Sequence, residues 1–182
     1  MYRQELKVNK LRIPVLIGTD GETKRKLEKK TNTEIIIDSE EGDVIISSED
    51  SLNVYDAKQI VTAINRGFNP DIALKLLQDD YIFELIDITD FTGKHKKKMI
   101  RMKGRIIGAD GKARKLVEEY TDTSISVFGK TAGVIGHPEG VNLAKRALEG
   151  LLSGSPHGKI YAWLERQRKK LKLGMFVEAQ DL

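Results

Sequence analysis

Val15-Leu16-Ile17-Gly18-Thr19-Asp20-Gly21 returns 90 positions later as Arg105-Ile106-Ile107-Gly108-Ala109-Asp110-Gly111. At the same offset, Thr31-Asn32-Thr33-Glu34-Ile35-Ile36-Ile37 returns as Thr121-Asp122-Thr123-Ser124-Ile125-Ser126-Val127. A single G-x-x-G stretch is a weak signal. Two of them, each between an apolar run and a basic helix that leads to an apolar strand, indicate a duplicated module.

The first copy predicts the order β-α-α-β-β-α. The pattern indicates a strand at 5–13, a short helix at 15–17 behind Pro14, and a helix from Glu22 to about residue 30. Strands are predicted at 34–37 and 44–46, followed by a helix that Ser51 caps and that ends near Gly67. The glycine loop then joins the first two helices.

The second copy predicts the same order, with one addition. We expect a strand at 81–88, a helix at 112–120, strands at 124–128 and 132–136, and a helix at 138–152. Residues 89–103 have no counterpart in the first copy and are rich in lysine and arginine.

The remaining segments connect and extend the two copies. Asn69-Pro70-Asp71 is a strong helix start, and the helix to about residue 78 is read as a linker. Pro156 and Gly158 are predicted to break the chain before a basic amphipathic helix at 159–173 and a loose tail at 175–182. The predicted class is α+β. We expect a first domain at 1–68, a linker at 69–80 and a second domain at 81–154, which contains the basic insertion at 89–103. A C-terminal basic helix and tail follow at 155–182.

A glycine loop between two helices is a site for an anion. Glycines let the ligand approach the backbone, and the following helix directs its free N–H groups and positive dipole end at the same spot. Cations in the next turn strengthen such a site: the second copy has Lys112, Arg114 and Lys115, whereas the first begins with Glu22 before Lys24 and Arg25. One loop acid, Asp20 or Asp110, is expected to cap the helix that follows it.

Both copies resemble the KH domain of type I order. The resemblance rests on the two glycine loops and on the order of elements around them. The resemblance implies a loop that clamps the backbone of about four nucleotides beside an apolar groove. The floor of that groove would be Ile107, Ile125 and Val127, where strand-edge amides could read base edges. The arrangement of two copies and a Ser155-Pro156-His157-Gly158 segment before a basic helix is similar to the archaeal and eukaryotic pre-ribosomal RNA-processing KH proteins, which are partners of the Nob endonuclease.

That resemblance implies a protein that binds single-stranded RNA, namely small-subunit ribosomal RNA near its 3′ end, during ribosome assembly. A Nob-type endonuclease or another assembly or translation factor would be its protein partner. The predicted RNA-binding residues of the second copy are Lys103, Gly104, Arg105, Ile107, Gly108, Ala109, Asp110, Gly111, Lys112, Arg114, Lys115 and Lys130. The weaker candidates of the first copy are Gly18, Thr19, Asp20, Gly21, Lys24 and Arg25.

Charge distinguishes the two copies. Residues 1–90 contain 12 lysines and arginines against 18 acids, and residues 91–182 contain 19 against nine. The turn beside the groove is Asp38-Ser39-Glu40-Glu41-Gly42-Asp43 in the first copy and Gly129-Lys130-Thr131-Ala132-Gly133 in the second. We therefore predict that the second copy holds most of the RNA, since carboxylates repel a phosphate path.

Other classes of protein find little support in the sequence. There is no cysteine, no signal-peptide core, no membrane-length apolar run, and no Walker loop, HExxH or GxSxG motif. We therefore expect a non-enzymatic cytoplasmic protein without a metal or cofactor. Two alternatives stay open: a general KH RNA chaperone or messenger-RNA regulator, and a protein adaptor that uses the acidic first copy.

Overall fold

The computed structural model describes residues 1–174, and the predicted tail at 175–182 lies outside them. The chain forms two compact units, Met1–Asp79 and Asp80–Leu182. In the first unit the elements are β1 (Tyr2–Lys7), α1 (Ile13–Ile17), α2 (Glu22–Thr31), β2 (Glu34–Ile37), β3 (Asp43–Ser48), α3 (Ser51–Asn65) and α4 (Pro70–Ala73). In the second they are β4 (Ile82–Asp87), α5 (Thr89–Thr92), α6 (Lys96–Ile107), α7 (Lys112–Thr121), β5 (Thr123–Phe128), β6 (Thr131–Gly136), α8 (Pro138–Leu152) and α9 (His157–Lys172).

Each unit has a three-stranded antiparallel sheet with the same strand order, β1-β3-β2 and β4-β6-β5. The last strand of each unit is therefore central, and the strand that follows the glycine loop and its helix lies at an edge. This confirms the predicted α+β fold of two β-α-α-β-β-α repeats. The edge strands β2 and β5 pair with β3 and β6, so that Ile35 lies opposite Ile46 and Ile125 lies opposite Val134.

The T-x-T sequences that repeat between the copies join each second helix to its edge strand. Thr31 Oγ1 donates to the Leu27 carbonyl 2.8 Å away and lies 2.7 Å from Thr33 Oγ1. Thr121 Oγ1 likewise donates to the Val117 carbonyl at 2.7 Å and lies 2.8 Å from Thr123 Oγ1. The residue between the two threonines adopts the left-handed conformation in both copies, so the chain reverses from helix to strand within two residues.

The first strand was predicted too late in the chain. It runs over Tyr2–Lys7 rather than 5–13, because the chain turns directly after Val8, whose N–H donates to the Gly42 carbonyl. Asn9 Oδ1 then accepts from the N–H of Leu11 at 2.9 Å, and Leu11 is exposed. Apolar spacing extended the prediction, but the side chain of Asn9 forms a turn that ends the strand.

Two helix starts also differ from the prediction. Asp50, not Ser51, caps α3: its Oδ1 accepts from the N–H of Leu52 at 2.9 Å, and Ser51 is the first helical residue. Pro156 precedes α9, but Gly158 lies inside its first turn and does not break it. Glycine costs at most about 1 kcal/mol relative to alanine in a helix, which is too little to break one that packs on the core.

The basic segment at 89–103 forms two helices. Thr89–Thr92 is the short α5, and residues from Lys96 onward form α6, which continues without interruption to Ile107. The helix before the glycine loop thus has 12 residues in the second unit and five in the first. The lysine-rich segment is a helical extension that leads into the loop.

Helix α9 packs its apolar face on the second unit, with Ile160, Trp163 and Leu164 buried in the core beside Leu148 of α8. Two polar side chains are buried in that face. Among residues 1–174, neither amide atom of Gln167 nor the Nε1 of Trp163 has a hydrogen-bond partner, and both residues are fully buried.

We expect Gln167→Met to stabilise the second unit by about 1–2 kcal/mol, because it removes two unpaired buried polar atoms and keeps an unbranched side chain of similar size. Urea unfolding monitored by the fluorescence of Trp163, the one tryptophan of the chain, would measure the change. A lower urea midpoint would instead mean that the amide binds an internal water molecule.

Candidate nucleic-acid interface

The two glycine loops have the same backbone conformation. Gly18 has φ 75° and ψ 176° and Gly108 has φ 74° and ψ 174°. The loop acids and the second glycines agree equally well, with φ near 50° at Asp20 and Asp110 and near 75° at Gly21 and Gly111. Two exposed residues form the tip of each loop. The first unit therefore retains the backbone geometry of the second.

The loop acids do not cap the helices that follow them, contrary to expectation. The glycine after each acid occupies the capping position, and neither α2 nor α7 has a side-chain cap. Asp20 and Asp110 have positive φ, a conformation that aspartate tolerates better than most residues. Both side chains are exposed at the tip of the loop, where a single carboxylate faces solvent.

Arg105 was predicted to bind RNA, but its guanidinium is engaged within the second unit. Nε donates to the Leu151 carbonyl at 2.9 Å and Nη2 donates to the Ser155 carbonyl at 2.6 Å. Leu151 lies in the last turn of α8, where carbonyl groups lack helical partners, and Ser155 lies in the loop that follows. Arg105 thus ties the helix before the loop to the end of α8, and its phosphate contact stays a prediction for the N–H groups that remain.

The first unit contains the same arrangement, from a different sequence position. Arg12 Nε donates to the Ile64 carbonyl at 2.8 Å, and Nη2 donates to the Phe68 carbonyl at 2.7 Å. Arg12 precedes its glycine loop by six residues and Arg105 by three, so the repeat at the offset of 90 gives no sign of the equivalence. Burial lowers the pKa of Arg12.

A pair of variants would separate the structural and RNA-binding cations of α6. We expect Arg105→Met to lower the free energy of unfolding of the second unit by about 1.5–3 kcal/mol, because two charge-assisted hydrogen bonds are lost at a half-buried site where solvent weakens each of them. Lys103→Met should leave stability unchanged and reduce the slope of log affinity against log salt by about 0.7, the value for one phosphate contact. Urea unfolding and salt titration of RNA binding measure the two effects; the reverse pattern would contradict both assignments.

A glutamate links each second helix to its edge strand. Glu118 Oε1 accepts from the N–H of Ile125 at 2.7 Å, and Glu28 Oε1 accepts from that of Ile35 at 2.9 Å. Arg114 lies 3.8 Å from Glu118. The N–H of Ile125 is therefore not available to a base, and Arg114 is partly neutralised.

Lys24 has the corresponding position in the first unit, 3.6 Å from Glu28.

The predicted groove floor of the second unit is only partly accessible. Ile125 is 4% exposed and belongs to the core, whereas Ile107 and Val127 are partly buried and pack against it. Because N–H groups along a strand alternate in direction, the N–H of Val127 points to the same free edge as that of Ile125. Val127 is thus the strand residue best placed to meet a base.

The second unit has accessible cations on the two helices that flank its loop and on the β5–β6 turn. Helix α6 exposes several of them on the turns that lead to Gly108, and α7 and the β5–β6 turn add others. Within residues 1–174 none of them forms an ion pair with a carboxylate; they are Lys96, Lys97, Lys98, Arg101, Lys103, Lys112, Lys115 and Lys130. The predicted sites Lys103, Lys112, Lys115 and Lys130 are therefore available to phosphate groups near the loop.

Several cations of the first unit are paired with carboxylates. Lys26 lies 2.6 Å from Asp71, and Lys7 lies 2.9 Å from Asp43. That hydrogen bond with Asp43 raises the pKa of Lys7. Hydrogen bonds from the N–H groups of Glu41 and Glu40 lower the pKa of Asp38, so the turn keeps its negative charge. Arg25 is exposed, as predicted for a phosphate contact.

Comparison with known protein families assigns both units. Residues 82–169 match the family described as eukaryotic type KH-domain (KH-domain type I), and residues 3–63 match the KH domain. A KH domain-containing protein of Methanocaldococcus jannaschii is 44% identical over 94% of this chain and 76% of its own length. The crystal structure of Dim2p from Pyrococcus horikoshii has a TM-score of 0.85 and 45% identity, over 91% of this chain and 99% of that one.

The chain belongs to the KH-domain family that includes archaeal Dim2p. A second structure from Pyrococcus horikoshii, a complex of a/eIF2alpha, aDim2p and rRNA, matches with a TM-score of 0.86 and 44% identity over 93% of this chain and 95% of that one. The pre-rRNA-processing protein PNO1 of Candida albicans is 36% identical over 62% of this chain. The match spans 41% of the fungal protein, which is therefore much longer than the shared part.

Neither a membrane span nor a metal site is apparent in residues 1–174. No helix there is long and apolar enough to cross a bilayer. No group of three or more histidines and carboxylates in the same residues is arranged to hold a metal ion.

Proposed function

We propose that this protein binds single-stranded small-subunit ribosomal RNA near its 3′ end during ribosome assembly and processing. The observation that carries the proposal is a KH loop at the end of a 12-residue helix with exposed, unpaired cations. Its similarity to aDim2p in the complex with rRNA, and to the pre-rRNA-processing protein PNO1, supports ribosomal RNA as the target.

We further propose that the second KH domain makes the larger contribution to affinity. The backbone of the two loops is the same, so both can approach phosphate groups through main-chain N–H groups. The first domain has Glu22 directly after its loop and an acidic turn at 38–43, whereas the second domain has Lys112 and Lys130 at the corresponding positions. The first domain is thus a weaker RNA site and has an acidic face suited to a protein partner.

The protein would act by holding RNA rather than by cleaving it, and in the cytoplasm. A Nob-type endonuclease or a translation factor is the partner class that we propose. The similarity to aDim2p in a complex that also contains a/eIF2alpha supports a translation factor as the partner. The domain limits that we propose remain 1–68, 69–80, 81–154 and 155–182.

Crosslinking in cells, followed by sequencing of the bound RNA, tests the proposed target. We expect the reads to concentrate on the 3′ end of small-subunit ribosomal RNA and its precursor, and to decline in an Ala109→Asp variant expressed at the same level. Reads spread over messenger RNAs would support a general KH chaperone or messenger-RNA regulator instead. If the enrichment were the same in the Ala109→Asp variant, the RNA would be recovered through another protein.

A further inference from the structure

A second cleft borders the glycine loop of the second unit, on the side of helix α9. It has a volume of about 500 Å³, and its lining includes Arg101 and Gly104 of α6, Gly108 of the loop, Lys112 and Leu116 of α7, and Tyr161 of α9. Arg105 and His157 also line it, so three cations, two aromatic rings and an apolar side chain surround one open space beside the phosphate-binding loop.

This cleft is separate from the groove beside the edge strand. Leu116 lines the cleft, whereas Glu118 binds the edge strand β5. Residues two positions apart on an α-helix are rotated by about 200° around its axis, so Leu116 and Glu118 lie on opposite sides of α7. One wall of the cleft comes from α9, which follows the β-α-α-β-β-α repeat and is not part of it.

Gly104 leaves space in this cleft, although the fold does not require a glycine at this position. It lies inside α6, where glycine costs about 1 kcal/mol relative to alanine. A Cβ atom placed on Gly104 would have no heavy atom within 4 Å. Neither packing nor backbone conformation therefore explains a glycine here, whereas a ligand that approaches the helix backbone would.

The aromatic wall of the cleft is held in place and has an unused polar group. His157 Nε2 lies 2.7 Å from the Arg105 carbonyl, which can only accept, so Nε2 donates and fixes the first turn of α9. The rings of His157 and Tyr161 are 6.0 Å apart. Burial raises the pKa of Tyr161, whose hydroxyl stays neutral and has no hydrogen-bond partner among residues 1–174.

We propose that this cleft binds one further nucleotide of the same RNA strand, next to those that the groove holds. Arg101 and Lys112 contact its phosphate, and its base lies against Tyr161 and Leu116 above Gly104. Cations with a stacking surface are the combination that binds single strands without reading sequence. The inference rests on the proposed RNA binding and adds a contact that the KH repeat alone lacks.

A series of RNA lengths tests the extra contact. Single-stranded RNAs of mixed sequence, from about four nucleotides to about eight, are titrated against the full chain. The wild-type protein should gain affinity when the strand becomes long enough to reach the cleft. In Gly104→Leu, whose new side chain fills the cleft, the gain should be about tenfold smaller. Gly158→Leu is the control, because Gly158 is also a helical glycine with open space around its Cβ position and does not line the cleft.

Tyr161→Leu provides an independent variant that retains an apolar side chain. It should leave the affinity for the shortest RNA unchanged and reduce the gain for longer RNA by about tenfold, the effect of losing one stacked base. Tyr55→Leu, at an exposed tyrosine of the first unit, is the matched control.

An unchanged length dependence in both Gly104→Leu and Tyr161→Leu would overturn the extra contact while leaving the proposed function intact. Failure of Ala109→Asp to weaken binding at any length would instead contradict the proposed function. A mixture of nucleoside monophosphates is the third probe. Tight binding of a monophosphate to wild type that both Tyr161→Leu and Gly104→Leu abolish would assign the cleft to a free nucleotide and overturn the RNA proposal.

Discussion

Ala109→Asp is expected to lower the affinity for single-stranded RNA by between about tenfold and about 100-fold, which corresponds to the loss of one charge-assisted hydrogen bond. Ala109 is exposed at the tip of the second loop, next to Asp110. The substitution therefore places two adjacent carboxylates where a phosphate approaches the loop, and like charges repel it. Fluorescence anisotropy with labelled RNA at several salt concentrations measures the loss.

The variant should remain folded, because the side chain of residue 109 points into solvent and the residue lies outside the left-handed positions of the loop. An unchanged urea midpoint of Trp163 fluorescence would establish this. Thr19→Asp is the matched variant of the first loop, where Thr19 is also exposed beside an aspartate. We expect Thr19→Asp to cost less than Ala109→Asp, since the carboxylates around the first loop already weaken phosphate binding there. An equal or larger loss in Thr19→Asp would refute the assignment of the main RNA contact to the second domain.

Periodicity and turn residues were enough to predict most elements. The strand Glu34–Ile37 and the helix Pro138–Leu152 have the predicted limits, because glycine, proline or a β-turn bounds each of them. The errors occur where a single side chain decides a boundary. Asn9 ends the first strand and Asp50 caps α3, and both act through local hydrogen bonds that apolar spacing does not reveal.

The candidate site could be located from the sequence, but the roles of its cations could not. The glycine loops were found because their spacing repeats. Arg105 and Arg114 looked equivalent to Lys112 as cations near the loop, yet Arg105 binds carbonyl groups of α8 and its following loop, and Arg114 pairs with Glu118. Their partners are distant in sequence or belong to another element, so only the tertiary structure distinguishes structural cations from those open to RNA.

Gly108→Ala should have the largest effect on stability among single substitutions in the loop. Gly108 has φ +74°, and a Cβ atom there would lie 2.7 Å from both the Cβ and the backbone nitrogen of Ala113. At φ 74° and ψ 174°, a backbone conformation essentially limited to glycine, an alanine costs about 1–3 kcal/mol. Overlap with a fixed backbone atom adds about 1–3 kcal/mol. We therefore expect a loss of about 2–6 kcal/mol in the free energy of unfolding of the second unit.

Two neighbouring glycines provide comparisons on the same unit. Gly111 has φ 74° and ψ 13°, the left-handed helical conformation, and its Cβ position meets only the Lys115 side chain at 3.9 Å, so Gly111→Ala should cost about 1–2 kcal/mol without any overlap. Gly104 has neither constraint, and Gly104→Ala should stabilise the helix by about 1 kcal/mol. Urea unfolding followed by Trp163 fluorescence gives all three values on one probe. If Gly108→Ala cost no more than Gly111→Ala, the close approach of the loop to α7 would not be what requires glycine at position 108.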